Sequence, residues 1–299
     1  MGIDVIGIGS LALDSVKTPF GQFSEGLGGT TSYFSLASSF FSKTGIVSTV
    51  GKDFPSIHKE FLLSRGVDIE GISEETGKTL RWHASYDYEM NEAHTDLIEL
   101  NVFGNMKTTI PESYRSAKFV YFGPIDPSLP TKFLSNFPSK PFTVMDTKNI
   151  WLKRREELME LCKAADIFLL NEWEARELFQ TSNLVIAAKK ALSAGAKNII
   201  IKKGEHGALL FSNSSFFFVP GYPLENVVDP TGAGDCFAGG LLGFLAKTGI
   251  TKENLRKAMV YGSVIASFCA EGLGIERLKI LTMEQIENRY KEFQRLVKF

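Results

Sequence analysis

The chain is poor in the residues that build covalent or metal-held scaffolds. Its 299 residues include three cysteines and four histidines. Cys162, Cys236 and Cys269 lie far apart, with no CxxC and no Cys/His cluster. That pattern argues against a disulfide framework or a structural zinc site and fits a reducing compartment, with all three thiols as small core residues. An excess of charge is also lacking. The formal net charge is −1, so no surface for nucleic acid or anionic membrane is implied, although a local basic pocket for a phosphorylated ligand is still allowed. No apolar run reaches membrane-spanning length. Residues 1–14, MGIDVIGIGSLALD, have no basic leader and carry an acid at Asp4, so they read as the first buried strand of a cytoplasmic protein rather than a signal peptide. Repeats, low-complexity tracts and long linkers are missing too. What remains is a chain with 44% hydrophobic residues, enough for a sizeable core.

Short apolar runs at 5–8, 46–50, 119–122, 142–145, 167–170 and 199–202 read as strands. They alternate with helical patterns at 30–42, 56–65, 152–163, 172–180 and 184–194. This alternation predicts an α/β fold, a mainly parallel sheet with helices on both faces. A hairpin is expected from 209–211 and 216–219 around Asn213, followed by helices near 233–247, 252–270 and 283–297. Residues 78–103 break the pattern. They are rich in aromatic and β-branched residues with many polar ones between, and read as strands outside the main sheet. With residues 11–25 they are expected to form a small lid.

Several stretches carry chemistry. Asp229-Pro-Thr-Gly-Ala-Gly-Asp235 places three small residues between two acids, where an apolar helix begins with Phe237, Leu241, Leu242 and Leu245. Free N–H groups and the positive end of the helix dipole gather at such a start, and small residues let an anion approach. The expectation is an anion hole at Gly232, Ala233 and Gly234, with Asp235 at its rim. Gly7-Ile-Gly9-Ser-Leu-Ala12 matches GxGxxA, but no long helix follows the glycines, so a dinucleotide fingerprint fails and a turn presenting Asp14 is the better reading. An Asp there also serves as a turn or cap residue. Gly28-Gly29 before a helix allows backbone to approach a ligand, or makes a flexible turn. Asn171 and Glu174 follow a strand, where ligands of open α/β sheets bind. They suit a water-mediated Mg²⁺ site and equally a helix capping box. Lys202–Gly207 makes a glycine turn after another strand, with His206 as a turn residue.

In this order and spacing, the segments resemble the ribokinase/PfkB family of carbohydrate kinases, with Asp229–Asp235 matching its C-terminal signature. Gly28-Gly29, Asn171–Glu174, Lys202–Gly207 and Val50–Phe54 fit the family's other motifs. The resemblance spans nearly the whole chain and implies one ribokinase-like three-layer α/β/α domain over 1–299 with a β-strand lid. It implies ATP-dependent phosphoryl transfer to a hydroxyl of a small sugar, nucleoside or cyclitol. Asp235 then matches the base, and Gly232, Ala233 and Gly234 the anion hole. Asn171 and Glu174 match the residues that organise Mg²⁺ and its water. Lys202, Gly204 and Gly207 match the nucleotide side; Asp14, Gly28 and Gly29 match the sugar side. Asp229 and Thr231 match a monovalent-cation position, K⁺ in some members, with the loop near Glu271 as its other wall. Beside the resemblance, Trp82 or Tyr86 is expected to cover the substrate and Arg81 to neutralise its charge. Asp235, beside a helix N-terminus, is expected to stay ionised as a weak base, which a late proton transfer tolerates. Two departures bear on the substrate. Tyr33 stands where the family often has an Asn that contacts sugar hydroxyls, and Pro230 replaces a common Thr or Ser. Alternatives are a vitamin-precursor kinase, a non-catalytic ligand sensor, and a homodimer through the aromatic lid.

Overall fold

The protein is described by a computed structural model covering residues 2–298. Strand β1 (Val5–Ile8) leads into two lid strands, β2 (Ala12–Thr18) and β3 (Gly21–Gly28), and then helix α1 (Thr30–Ser38). Strand β4 (Thr44–Gly51), helix α2 (Ser56–Ser64) and strand β5 (Asp68–Glu75) return to the main sheet, before lid strands β6 (Leu80–Ser85) and β7 (His94–Glu99). The second half runs β8 (Phe119–Phe122), α3 (Leu129–Leu134), β9 (Phe142–Met145), α4 (Arg155–Ala164), β10 (Ile167–Asn171), α5 (Glu172–Phe179), α6 (Leu184–Ser193) and β11 (Asn198–Lys202). The hairpin β12 (Ala208–Ser212) and β13 (Ser215–Val219) precedes α7 (Ala233–Thr248), α8 (Lys252–Ala270), α9 (Glu276–Lys279) and α10 (Met283–Leu296).

Nine strands form the main sheet in the order β13-β12-β11-β10-β9-β8-β1-β4-β5, parallel from β11 to β5, with the hairpin antiparallel at one edge. Strand alternation decides the layers. Val5, Tyr121, Ile167, Leu169 and Ile200 pack under α1, α7 and α8, whereas Ile6, Ile8, Phe122, Phe168, Leu170 and Ile199 pack under α4, α5 and α6. Both faces are covered, so the central strands read as continuous apolar runs. This is the expected three-layer α/β/α arrangement around a mainly parallel sheet. The lid is a separate mixed sheet, β3-β2-β6-β7, whose inner face carries Ala12, Val16, Leu80, Trp82 and Ala84.

The cysteines are buried and free, as expected. Two elements depart from the sequence reading. Asp14 lies inside strand β2, at a register shift, rather than in a turn. Strand β5 has too few apolar residues to announce itself, because it is a sheet edge pairing only with β4. Among the described residues no helix is long and apolar enough to cross a membrane.

Candidate active site

The loop before α7 is shaped by one turn. The Ala233 N–H donates to Pro230 O at 3.1 Å, and Gly232 sits between them at φ 77°, ψ −2°. Those angles are what the third residue of a type II turn requires, and glycine adopts them at no steric cost. A Cβ at Gly232 would also lie 2.2 Å from the Tyr33 ring. The turn gives the Ala233 N–H a partner within the loop, unlike the other N–H groups expected to meet an anion there. The N–H groups of Gly232, Gly234 and Asp235 have no partner among the described residues, and these three residues line a cavity of about 420 Å³.

Asp235 is held from the sheet side. The Tyr121 hydroxyl, on β8, donates to Asp235 Oδ1 at 2.8 Å and lies 3.4 Å from Asp146 Oδ2. Burial and the two carboxylates push the Tyr121 pKa well above its usual value, so it stays a donor. Lys202 Nζ, at the end of β11, pairs with Asp146 Oδ2 at 2.6 Å. Burial works against the Lys202 charge, but Asp146 and Glu174 outweigh it and its pKa moves up. Burial, reinforced by Asp146, raises Asp235 to about 7 against the opposing pull of Lys202 and Tyr121. Desolvation is the largest of these effects and moves Asp235 away from the ordinary carboxylate expected of it, toward a stronger base.

Asn171 and Glu174 form the anticipated capping box at the start of α5: Glu174 N–H donates to Asn171 Oδ1 at 2.7 Å, and Asn171 N–H to Glu174 Oε2 at 2.9 Å. Both residues also line the cavity, so capping fixes a carboxylate there. Glu174 Oε1 has no partner among the described residues, and burial, with Asp146 nearby, raises the carboxyl to about 7.

On the lid side, Asp14 Oδ2 accepts the Gly29 N–H at 3.2 Å. A Cβ on Gly28 would fall 1.9 Å from the same oxygen, so Gly28 makes room for the carboxylate without lining the cavity itself. Burial raises Asp14 to about 7, with Gly29 opposing. Asp14 Oδ1, Tyr33 OH and Thr147 Oγ1 are buried without partners, and all three residues line the cavity. Unpartnered buried polar atoms are costly, and their clustering here marks a ligand site. Trp82 and Tyr86 join the lining, and Thr231 Oγ1 donates to Tyr86 OH at 3.2 Å, tying lid to loop.

A family model described as pfkB family carbohydrate kinase matches residues 2–277. The chain belongs to this family. Its PfkB-type kinase fold extends to solved structures. A ribokinase II candidate from E. coli, in complex with ATP and Mg²⁺, superposes with TM-score 0.80 at 22% identity, covering 97% of this chain and 99% of that one. A Burkholderia thailandensis nucleoside kinase, in complex with ADP-inosine, gives TM-score 0.80 at 17% identity over 96% and 95% of the two chains. A cytidine kinase of Thermococcus kodakarensis is 33% identical over 249 residues, 80% of this chain and 87% of that protein.

Not every anticipated residue reaches the PfkB cavity. Arg81 lies outside its lining because strand alternation on β6 sends Leu80 and Trp82 inward and Arg81 to the opposite face. There Arg81 bonds Asp53 at 2.9 Å and Glu25 at 3.2 Å. Gly204 and Gly207 form a turn just beyond Lys202, also outside the lining. Asp229 is fully buried behind the loop, accepting N–H groups from Thr231 at 2.9 Å and Gly274 at 2.8 Å. Sequence reasoning missed Tyr121, Asp146 and Lys148, which all sit at or near the carboxyl ends of parallel strands, the place that flagged Asn171 and Lys202.

Proposed function

We propose that this PfkB kinase transfers the γ-phosphoryl of ATP to a hydroxyl of a nucleoside, with Asp235 as the base. The observation that carries this reading is a half-buried Asp235 beside three N–H groups at the start of α7 that have no partner among the described residues, all lining one cavity. Asp235 Oδ2 has no protein partner among the described residues and is the oxygen to take the hydroxyl proton. A base near neutral pH suits proton transfer, and fixed N–H donors in a site screened from water stabilise the charge on the moving phosphoryl by roughly 3 kcal/mol each. Trp82, Tyr86, Phe103 and Trp151 form an apolar wall suited to a flat base, which favours a nucleoside over a bare sugar or cyclitol. Asp14 and the Tyr33 hydroxyl offer an acceptor and a donor to the sugar. The lid excludes water, a competing acceptor.

The cavity has five carboxylates, Asp14, Asp126, Asp146, Glu174 and Asp235, against Lys148 and Lys202. That hard-oxygen surplus fits Mg²⁺, which Glu174, through water, would hold beside Asn171 and Asp146. When bound, Mg²⁺ neutralises phosphate oxygens. The rest of ATP would extend past Lys202 toward Gly204 and Gly207. Among the described residues the partners of the buried Asp229 side chain are N–H groups, which suits a monovalent cation such as K⁺ near Thr231. Phe20, Tyr88, Leu97 and Leu100 on the lid are exposed and would suit a homodimer, which gel filtration tests.

The deciding experiment is ADP release from Mg-ATP, with and without K⁺, over nucleosides, pentoses, hexoses, inositols and sugar acids, with Asp235→Asn in parallel. Turnover of a nucleoside that Asp235→Asn abolishes supports the reading. ATP binding with no turnover of any acceptor would favour a sensor.

A further inference from the structure

Two lysines line the cavity, and their side chains are held differently. Lys202 is committed to Asp146 at 2.6 Å. Lys148 makes no ion pair or side-chain hydrogen bond with the described residues. Its ammonium instead lies 4.7 Å from the centre of the Trp82 ring, on the lid strand β6. Its backbone is fixed: it is extended at φ −141°, ψ 154°, and its carbonyl accepts the Trp151 N–H at 2.9 Å. Any adjustment is therefore left to the long side chain. The charge of Lys148 already acts on Asp14, Glu174 and Asp235, three acids of the same cavity lining. The residue before it, Thr147, adds a buried hydroxyl without a partner to the same lining.

A cation over an aromatic face is held more weakly than one hydrogen-bonded to a phosphate oxygen. We infer that Lys148 is a catalytic residue of this kinase: its ammonium exchanges the face of Trp82 for a non-bridging oxygen of the γ-phosphoryl when the donor binds. The inference rests on the kinase reading above. In the transfer, the acceptor hydroxyl oxygen forms a bond to the γ-phosphorus. The bond from that phosphorus to the bridging oxygen breaks, and its electron pair leaves with ADP. The hydroxyl proton passes to Asp235. Lys148 takes no part in the proton transfer and only neutralises charge, as a loose transition state requires. Lys202 keeps donors to spare, but its ammonium is already drawn to Asp146, whereas Lys148 has no anionic partner among the described residues.

Lys148→Met keeps the length of the stem and removes the charge; Lys148→Arg restores charge. With the acceptor found in the ADP-release panel, Lys148→Met is expected to lower kcat by about a hundredfold, leave acceptor KM within about threefold, and melt like the parent enzyme, while Lys148→Arg recovers part of kcat. A second measurement needs no acceptor. Calorimetric titration should show Lys148→Met binding Mg-AMPPNP about tenfold more weakly than the parent, with Mg-ADP affinity unchanged. An unchanged kcat, a change confined to acceptor KM, or equal loss for both nucleotides would overturn the assignment. A parent enzyme that binds no ATP analogue and turns over no acceptor would instead sink the kinase reading itself.

Discussion

Asp235→Asn separates two properties of one carboxylate. Catalysis should fall by about 10²–10⁴-fold, because the amide cannot take a proton. Stability should move the other way. The Asp235 pKa is raised to about 7 from an ordinary 3.8, so the folded state keeps a proton that the unfolded state loses. Its contribution is intact below the unfolded value and is lost as pH rises through about 7. At pH 8 Asn should therefore stabilise the apo protein, by on the order of 2 kcal/mol, seen as a higher melting temperature. No rise at pH 8 would show that Asp235 is ionised without strain. Tyr121→Phe probes the same group. Its hydroxyl lowers the Asp235 pKa, so removal should shift the midpoint of kcat/KM against pH upward and cost roughly tenfold at pH 7, less at pH 9. A loss equal at all pH values would mean that Tyr121 only supports packing.

At the scale of elements, the turn into α7 and the strand β6 make opposite predictions. Gly232→Ala puts a methyl group against Tyr33 at a φ of +77°. It should destabilise the fold by at least ~2 kcal/mol and abolish turnover, because the three free N–H groups lose their common aim. Turnover near the parent value would remove the loop from the mechanism. Arg81→Gln should leave acceptor KM within about twofold and cost ~1 kcal/mol or less, since its ion pairs lie on the outer face of the lid. A large rise in KM would place Arg81 back at the substrate. Small residues also set how α7 packs. A Cβ at Gly239 would meet Phe34 O at 2.3 Å, and at Gly240 the Gly262 Cα at 3.1 Å, so α7 settles tightly between α1 and α8 and fixes where Asp235 stands.

For the whole molecule, Asp14, Glu174 and Asp235 all sit near pKa 7 in one cavity, each raised by burial. Each binds a proton on folding between its ordinary value and about 7. The apo protein should thus lose stability as pH rises across that window, and Mg-ATP should raise it by binding the folded state alone. Thermal melts at pH 5 and pH 8, with and without Mg-ATP, check this. A stability flat across the window would mean that the acids are solvated.

Local patterns determined much of this from the sequence alone. The sheet's strands alternate apolar faces, so most central strands and the helices between them were legible. Asn171 and Glu174 are a contact within one helical turn, and Asp229–Asp235 is a short loop whose shape its own glycines set. Other features depended on chain neighbours that only folding supplies. Tyr121 and Asp146 meet Asp235 and Lys202 because strands β8, β9, β10 and β11 follow one another in the sheet and end at the same edge. Strand alternation, not residue type, turned Arg81 away from the cavity. A backbone hydrogen bond to Pro230 gave the Ala233 N–H a partner within the loop. The upward shift of the Asp235 pKa comes first from burial, because removing water disfavours the charged form, and burial belongs to the tertiary structure.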